Sequence, residues 1–160
     1  MKKIYLAALL LLAVSTGMAQ KDSSKSSKVF STGFTFGVGL FTESPTIFDV
    51  SAGLQFEYKP VQGFSLYSQL TYHRWFGGGN SIGIGSLLVG PRAWFSEKAF
   101  VGMGAGLAYY TGNGASGTIF NFNPHVGISS KSAEFTLGYN GLSKEGYGSG
   151  FIELRAVANF

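Results

Sequence analysis

The final stretch of the chain, Gly150–Phe160, alternates between apolar and polar positions. Every second residue from Ile152 onward is apolar, whereas the other parity carries Glu153 and Arg155. Successive side chains of a β-strand point to opposite faces, so one face of this segment is wholly apolar and the other is charged. The chain then stops on an aromatic residue. This pattern predicts the closing strand of a transmembrane barrel, with the apolar face toward lipid and the charged face toward the lumen.

The N-terminus has the features of an export signal. Lys2 and Lys3 precede an apolar run, Ile4–Val14, and small residues follow up to Ala19. The run is too short to cross a bilayer as a helix, which needs about 20 apolar residues. Residues 1–19 are therefore predicted to be a cleaved signal peptide.

Composition narrows the class of protein further. Only 12% of the residues are charged and 24 are glycine, whereas soluble domains average about 25% charged residues. The net charge of +4 falls to +2 without the two lysines of the leader, and the basic residues are scattered, so no nucleic-acid partner is predicted. The chain has no cysteine, which excludes disulfides and a lipid anchor on cysteine. An apolar surface without transmembrane helices points to a closed barrel.

The two-residue alternation recurs throughout residues 29–160, the predicted barrel domain. Residues 20–28 are polar and low in complexity, and they are predicted to be a disordered periplasmic tail. The expected fold is all-β, an eight-stranded antiparallel transmembrane up-and-down β-barrel. The predicted strands are Phe30–Leu40, Phe48–Tyr58, Phe64–His73, Ile82–Phe95, Val101–Tyr109, Phe120–Ile128, Glu134–Asn140 and Gly150–Phe160.

The fourth segment is the least regular. Ile82 and Ile84 lie on one parity, whereas Leu87 and the apolar residues after it lie on the other. A β-bulge near Ser86 would account for the change. Pro91, which cannot donate to a β-ladder, is a second place for a kink. The connection after the fifth segment, Thr111 to Thr118, is predicted to be a loop because it is rich in glycine and small polar residues.

The charge distribution distinguishes a membrane barrel from a soluble barrel of the lipocalin type, which is polar outside. Here the apolar parity carries a single charge, Arg74, which is predicted to lie at a strand end beyond the hydrocarbon. Arg or Lys on the lipid face near the midplane costs about 2–4 kcal/mol. Aromatic residues also cluster near both ends of the segments, as they do at the two membrane interfaces. The apolar face is therefore predicted to be the outer wall.

The charged residues of the other face are predicted to meet inside the barrel. An eight-stranded lumen is just wide enough to be filled by side chains, so a network of paired charges is expected there. Pairing the strands about their turns sets Arg92 opposite Gly102 and Glu57 opposite Ser65. The predicted lumen network comprises Asp49, Glu57, Arg92, His125, Glu134, Glu153 and Arg155.

Asp49 falls opposite His73 near the external rim, and the two are predicted to form a pair. Some small barrels are lipid-modifying enzymes, and Ser44 and Ser81 lie in adjacent loops. A nucleophile must lie within hydrogen-bond reach of its base, and no motif places one beside this histidine. No catalytic, cofactor or metal site is therefore predicted.

Over residues 29–160 the chain resembles the small eight-stranded outer-membrane barrels, of which OmpX and the transmembrane domain of OmpA are members. The resemblance rests on the eight alternating segments and on the bulky terminal residues Ile152, Leu154 and Phe160. It implies location in the outer membrane of a Gram-negative-type cell, contact with membrane lipids, and recognition of these three residues by the outer-membrane assembly machinery.

The expected role is non-enzymatic, either structural or related to the cell envelope. Three alternatives remain open: a narrow pore for ions or small solutes, an outer-leaflet acyltransferase or deacylase, and an accessory subunit of a larger outer-membrane complex. The predicted external loops are short and built of small residues, which does not favour strong binding of an extracellular ligand.

Overall fold

The computed structural model describes residues 30–41, 47–77, 80–112, 114–130, 132–144 and 147–160. The predicted signal peptide, residues 1–19, and the predicted tail, residues 20–28, lie outside the described residues. Within the described part of the chain, no helix is long and apolar enough to cross a membrane.

Eight antiparallel strands form a closed barrel, in which each strand pairs with its neighbours in chain order and the first closes on the last. The predicted fold class is therefore confirmed. We call the end at which the first strand begins the terminal end, and the opposite end the loop end. The strands are β1 (Phe30–Phe41), β2 (Phe48–Val61), β3 (Phe64–Gly77), β4 (Asn80–Trp94), β5 (Ala99–Gly112), β6 (Ala115–Ser129), β7 (Ala133–Lys144) and β8 (Tyr147–Asn159).

Side chains alternate between the outer wall and the lumen with the predicted parity. Leu70 and Leu137 on the wall are 54% and 52% exposed, whereas Arg92 and Glu134 are each 1% exposed. A continuous apolar wall of this size is incompatible with water and suited to hydrocarbon. The barrel is therefore a transmembrane barrel, with an apolar outer wall and charged side chains in its lumen.

The predicted register holds between β4 and β5 but not between β2 and β3. Arg92 pairs with Gly102, as predicted. Glu57 pairs with Tyr67, so the predicted pairing with Ser65 is wrong by two residues. Two features cause the difference. Gly63 takes a φ of 85°, a left-handed conformation open to glycine, and closes a tight turn that extends β2 to Val61, opposite Phe64. A register shift between Tyr58 and Val61 then sets the pairing of the rest of the two strands.

The predicted bulge in β4 near Ser86 is wrong. Pairing with β3 runs unbroken through this residue, and Ile84 points into the lumen with the polar residues of its parity. Pairing with β3 stays regular, and the apolar side chains face the lumen at Ile84 but the outer wall at Leu87. The irregularity lies instead at Pro91, the second predicted place, where pairing with β5 is interrupted between Val89 and Arg92.

The predicted loop from Thr111 to Thr118 is a tight hairpin instead. β5 continues to Gly112 and β6 starts at Ala115, with Gly114 at a φ of 75°. Backbone pairing here continues above the apolar band, where the alternation of hydrophobic residues stops. The apolar pattern therefore marks the membrane-embedded part of a strand and misses its solvated end.

Candidate functional site in the barrel lumen

Arg92 is the centre of a charge network in the half of the lumen nearer the terminal end. Its Nη2 lies 3.0 Å from Glu134 Oε1 and donates to Gln55 Oε1 at 3.1 Å. Its Nη1 donates to Glu134 Oε2 at 3.1 Å and lies 3.5 Å from Glu57 Oε1. Its Nε donates to His125 Nε2 at 3.3 Å. The two-pronged contact with Glu134 is the strong form of such a pair. We call these five residues the lower cluster.

Aromatic rings enclose the Arg92 guanidinium. Its Cζ lies 4.3 Å from the ring centre of Tyr67 and 4.5 Å from that of Phe100, distances at which a cation is attracted by the ring faces. Gly102 makes the room for this side chain. A Cβ on that glycine would lie 2.8 Å from Arg92 Cγ and 2.5 Å from His125 Nε2, closer than packed atoms allow.

The terminal end of the lumen is covered by Trp94 and Phe100, whose ring centres lie 4.7 Å apart. We call these two residues the aromatic floor. Trp94 Nε1 donates to Ser65 Oγ at 2.9 Å, which in turn donates to Glu57 Oε1 at 2.6 Å. Lys59 Nζ lies 3.8 Å from the Trp94 ring centre and 3.3 Å from Glu57 Oε2. A cation and two rings thus lie between the lower cluster and the membrane surface.

Glu153 and Arg155 form a second ion pair, nearer the loop end. Arg155 Nη2 bonds Glu153 Oε2, and Arg155 Nη1 donates to Gln69 Oε1 at 2.6 Å. Glu153 also accepts from Ser51 Oγ at 2.7 Å and from Asn140 Nδ2 at 2.6 Å. The carboxylate is therefore surrounded by donors, as a buried charge requires.

The predicted pair of Asp49 and His73 lies beside this second ion pair. His73 Nδ1 is 3.0 Å from Asp49 Oδ2, and His73 Nε2 is 3.0 Å from Thr71 Oγ1. The backbone register sets Asp49 opposite Trp75, so the predicted register is wrong here too, and the side chains meet diagonally. Both members of the pair are buried inside the lumen, below the rim.

Asp49, His73 and Glu153 each offer one ligand atom to a shared point, and these atoms lie within 4.8 Å of one another. Carboxylate and imidazole groups are common ligands of divalent metals. The atoms are engaged, however, in hydrogen bonds with protein groups, and the positive charge of Arg155 already lies against Glu153. Hydrogen bonding accounts for the arrangement without a cation. We call Asp49, His73, Glu153 and Arg155 the upper cluster.

Above the upper cluster, apolar side chains fill the loop end of the lumen. The Phe41 ring stacks on Phe151 at 4.9 Å and meets the Trp75 ring edge-on at 4.4 Å. Phe151 also reaches to 5.9 Å from the His73 ring. We call the buried members the apolar cap: Phe41, Ile84, Ala108, Leu142 and Phe151.

The apolar cap was missed by the sequence reasoning, although its signal is present. Phe151 and Ile84 lie on the parity that otherwise carries polar residues, and the change in β4 was assigned to a bulge. The neutral side chains that bind the charges were missed as well: Ser51, Gln55, Gln69 and Asn140. Their parity places them in the lumen but does not show which of the polar lumen residues bind a charge.

All seven residues predicted for the lumen lie in it, divided between two clusters. The residues predicted as an assembly signal lie on the outer wall: Ile152 and Leu154 face outward from β8, and Phe160 follows its end. The backbone N–H of Phe160 donates to Thr32 O at 3.0 Å, which ties the terminus to β1. Their recognition by the assembly machinery stays a prediction.

Known proteins share the fold of this chain but not its sequence. No family model matches, and no curated protein matches in sequence. The N-terminal barrel domain of Pseudomonas aeruginosa OprF is similar in structure, with a TM-score of 0.56 and 15% identity over 81% of this chain and 97% of that one. Yersinia pestis outer-membrane protein Ail gives 0.55 and 11%, over 81% and 99%. Neisserial surface protein A gives 0.52 and 12%, over 85% and 100%.

Proposed function

We propose that this chain, which has the fold of the small eight-stranded outer-membrane barrels, serves a structural role in the cell envelope and conducts no ions. One observation supports this proposal: side chains fill the lumen from end to end. The aromatic floor, the lower cluster, the upper cluster and the apolar cap follow one another along the axis. No catalytic residue is needed for such a role.

The physical reason is that an ion needs a continuous hydrated path. The lumen of an eight-stranded barrel is only wide enough for its own side chains. Arg92 occupies the half of the lumen nearer the terminal end, where it is bound by Glu134 and contacts the rings of Tyr67 and Phe100. Displacing it would leave the carboxylates buried without a partner, which is strongly unfavourable.

The test is single-channel recording of the purified, refolded protein in a planar bilayer. We expect no steady current from the intact protein, and none from Arg92→Ala, because the aromatic floor and the apolar cap remain. A large porin serves as the positive control. A steady unitary current from the intact protein would overturn the proposal and favour the narrow pore. The observation that favours the pore is that Gln69 Nε2 and Arg155 Nε, both buried, have no protein partner within the described residues.

A hydrolase is the second candidate, and it rests on the Asp49–His73–Thr71 contacts. A carboxylate on one ring nitrogen and a hydroxyl on the other have the connectivity of a catalytic triad. We propose that the contacts are structural here, because all three residues are buried beneath the apolar cap and a lipid substrate has no route to the hydroxyl.

The check on the hydrolase is mass spectrometry of the outer-leaflet glycolipid from cells that express the protein or its Thr71→Val variant. We expect identical acyl chains in both samples and in cells without the gene. Loss or gain of an acyl chain that depends on Thr71 would establish an enzyme.

The accessory-subunit alternative is tested by co-purification from the same cells in mild detergent. A stoichiometric partner barrel in the purified sample would favour this alternative.

A further inference from the structure

Arg74 is an exception on the outer wall. Among the outward-facing residues of the described strands, it is the one that carries a charge. Its side chain is exposed, and one terminal nitrogen, Nη2, donates to Ser81 Oγ at 2.5 Å. A guanidinium has five N–H donors, so most of its capacity is directed elsewhere. The remaining donors can therefore serve a ligand outside the barrel.

The height of Arg74 matches the edge of the membrane. The apolar stretch of β3 runs from Phe64 to Tyr72, which is about 27 Å along a strand at about 3.4 Å per residue. A strand tilt of about 40° reduces this to about 21 Å along the membrane normal, close to the apolar band of about 25 Å in such barrels. Arg74 therefore lies just beyond the hydrocarbon, at the level of the lipid head groups on the loop-end side.

The residues next to Arg74 on one side are small and polar. Arg74 pairs with Gly83, Gly83 with Thr111, and Thr111 with Ser116. This row climbs away from the hydrocarbon. In the other direction the neighbour is Val50, which belongs to the apolar band. The guanidinium thus stands at the boundary between the two, as an interfacial arginine does.

Beside the guanidinium the wall carries a notch floored by glycine. A Cβ on Gly83 would collide with the Tyr72 hydroxyl, so this hydroxyl reaches over Gly83 toward Arg74. Gly85 lies between Tyr72 and Tyr109 in the same row, and a Cβ placed there would meet nothing within 4 Å. The notch opens downward onto the apolar wall. A cationic group and a phenol thus lie on the loop-end side of an open position in the wall.

We propose that Arg74 and Tyr72 bind the phosphate group of a membrane lipid in the leaflet at the loop end, with one acyl chain in the notch at Gly85. Arg is the residue best suited to a phosphate, which it binds through two parallel N–H donors. The Tyr72 O–H is a third donor, and the two tyrosine rings flank the chain. The proposal rests on the transmembrane assignment and is independent of whether the lumen conducts.

The test is native mass spectrometry of the full chain released from micelles of an uncharged detergent. The probe is dimyristoyl phosphatidic acid, and dimyristoylglycerol is the lipid with the same chains and no phosphate. We expect one phosphatidic acid per barrel, with affinity about tenfold lower in Arg74→Gln, since a hydrogen bond to a charged group contributes about that much. Tyr72→Phe and Gly85→Val are expected to weaken binding as well. Lys98→Gln, which removes a positive charge from the terminal end, is the matched control and is expected to bind like the parent.

Three results would overturn the lipid site. Equal affinity of Arg74→Gln and Lys98→Gln would remove the role of the guanidinium. Equal binding of dimyristoylglycerol would remove the role of the phosphate, and binding of inorganic phosphate as tight as that of the lipid would remove the role of the notch. Heat-modifiable migration on gels reports folding of each variant, and Arg74→Gln, on an exposed position, provides the decisive comparison if Gly85→Val fails to fold.

Discussion

Arg92 shows how a small barrel keeps a charge inside a membrane. Its guanidinium binds Glu134 through two nitrogens, also approaches Glu57, and lies between the rings of Tyr67 and Phe100. Desolvation of each charge is offset only while the partners stay in place. The network therefore depends on all of its members together.

Replacing Arg92 with Met is expected to lower the free energy of unfolding by about 3–5 kcal/mol, because two carboxylates lose their cation in a buried site. The double variant Arg92→Met/Glu134→Gln should recover part of this loss, since one buried charge is then absent. Urea unfolding in detergent micelles, followed by tryptophan fluorescence, measures both values. Lys98→Met, on an exposed position, controls for the loss of a surface charge. A double variant that is less stable than Arg92→Met would contradict this account.

The pair of Asp49 and His73 was predicted from the sequence for a reason that was only partly right. Opposed backbone positions were assumed, yet the structure sets Asp49 opposite Trp75. The two side chains still meet at 3.0 Å because both point into one narrow lumen. In such a space, parity and approximate height decide which polar residues meet, and an error of two residues in register is tolerated.

Three strands of this barrel have interrupted ladders, and a proline lies at each interruption. In β2 the pairing with β3 breaks between Tyr58 and Val61, around Pro60. β4 loses pairing with β5 at Pro91, and β6 loses pairing with β7 at Asn123 and Pro124. In β6 the lumen-facing amide compensates: Asn123 Nδ2 donates to Tyr139 O at 3.4 Å. A side chain thus supplies a hydrogen bond that proline has no N–H to give.

Asn123→Ala is expected to lower the free energy of unfolding by about 1–3 kcal/mol, the range for a buried carbonyl left without a donor. The loss should be smaller in a Pro124→Val background, because residue 124 then has an N–H that can donate to Tyr139 O. Asn121→Ala is the matched control in the same strand. Its amide bonds Ser86 Oγ at 2.9 Å and plays no part in the ladder. Additive effects of Asn123→Ala and Pro124→Val would show that the amide does not replace the missing bond.

At the scale of the whole molecule, closure of the barrel joins the two ends of the domain. β1 pairs with β8 from Gly33 opposite Asn159 to Phe41 opposite Phe151. The Phe160 ring packs 5.4 Å from Phe34 on the outer wall. The last aromatic residue therefore lies on the outer wall and contributes nothing to the packing of the lumen.

The predicted role of Phe160 in assembly can be tested by Phe160→Ala. This variant is expected to reduce the amount of folded protein in cells several-fold, because the chain then lacks the terminal aromatic residue that the machinery is predicted to recognise. Refolding of the same variant into detergent micelles should be nearly normal, since only a lipid-facing ring is removed. Heat-modifiable migration on gels measures both quantities. Phe95→Ala removes an equally exposed aromatic from the same end of the barrel and is the control. Equal yields in cells for the two variants would contradict an assembly role for Phe160.

The sequence by itself determined the class of fold, the number of strands and the face of each strand that meets lipid. It could do so because the side chains of a strand alternate between two faces, and the bilayer requires the face that meets lipid to be apolar. Each strand meets the membrane along its own length, so the apolar pattern can be recognised within each strand separately. The single charge at Arg74 is readable for the same reason.

Only the tertiary structure decided which apolar side chains close the loop end of the lumen and how β2 is registered against β3. Ile84 and Phe151 lie on the polar parity and become an apolar cap only because residues from five strands converge on one end. The turn at Gly63 and the register shift between Tyr58 and Val61 together move β2 against β3 by two residues from the predicted pairing, which no pattern within either strand reveals. Convergence and register depend on residues distant in the chain, and periodicity within a strand carries no information about them.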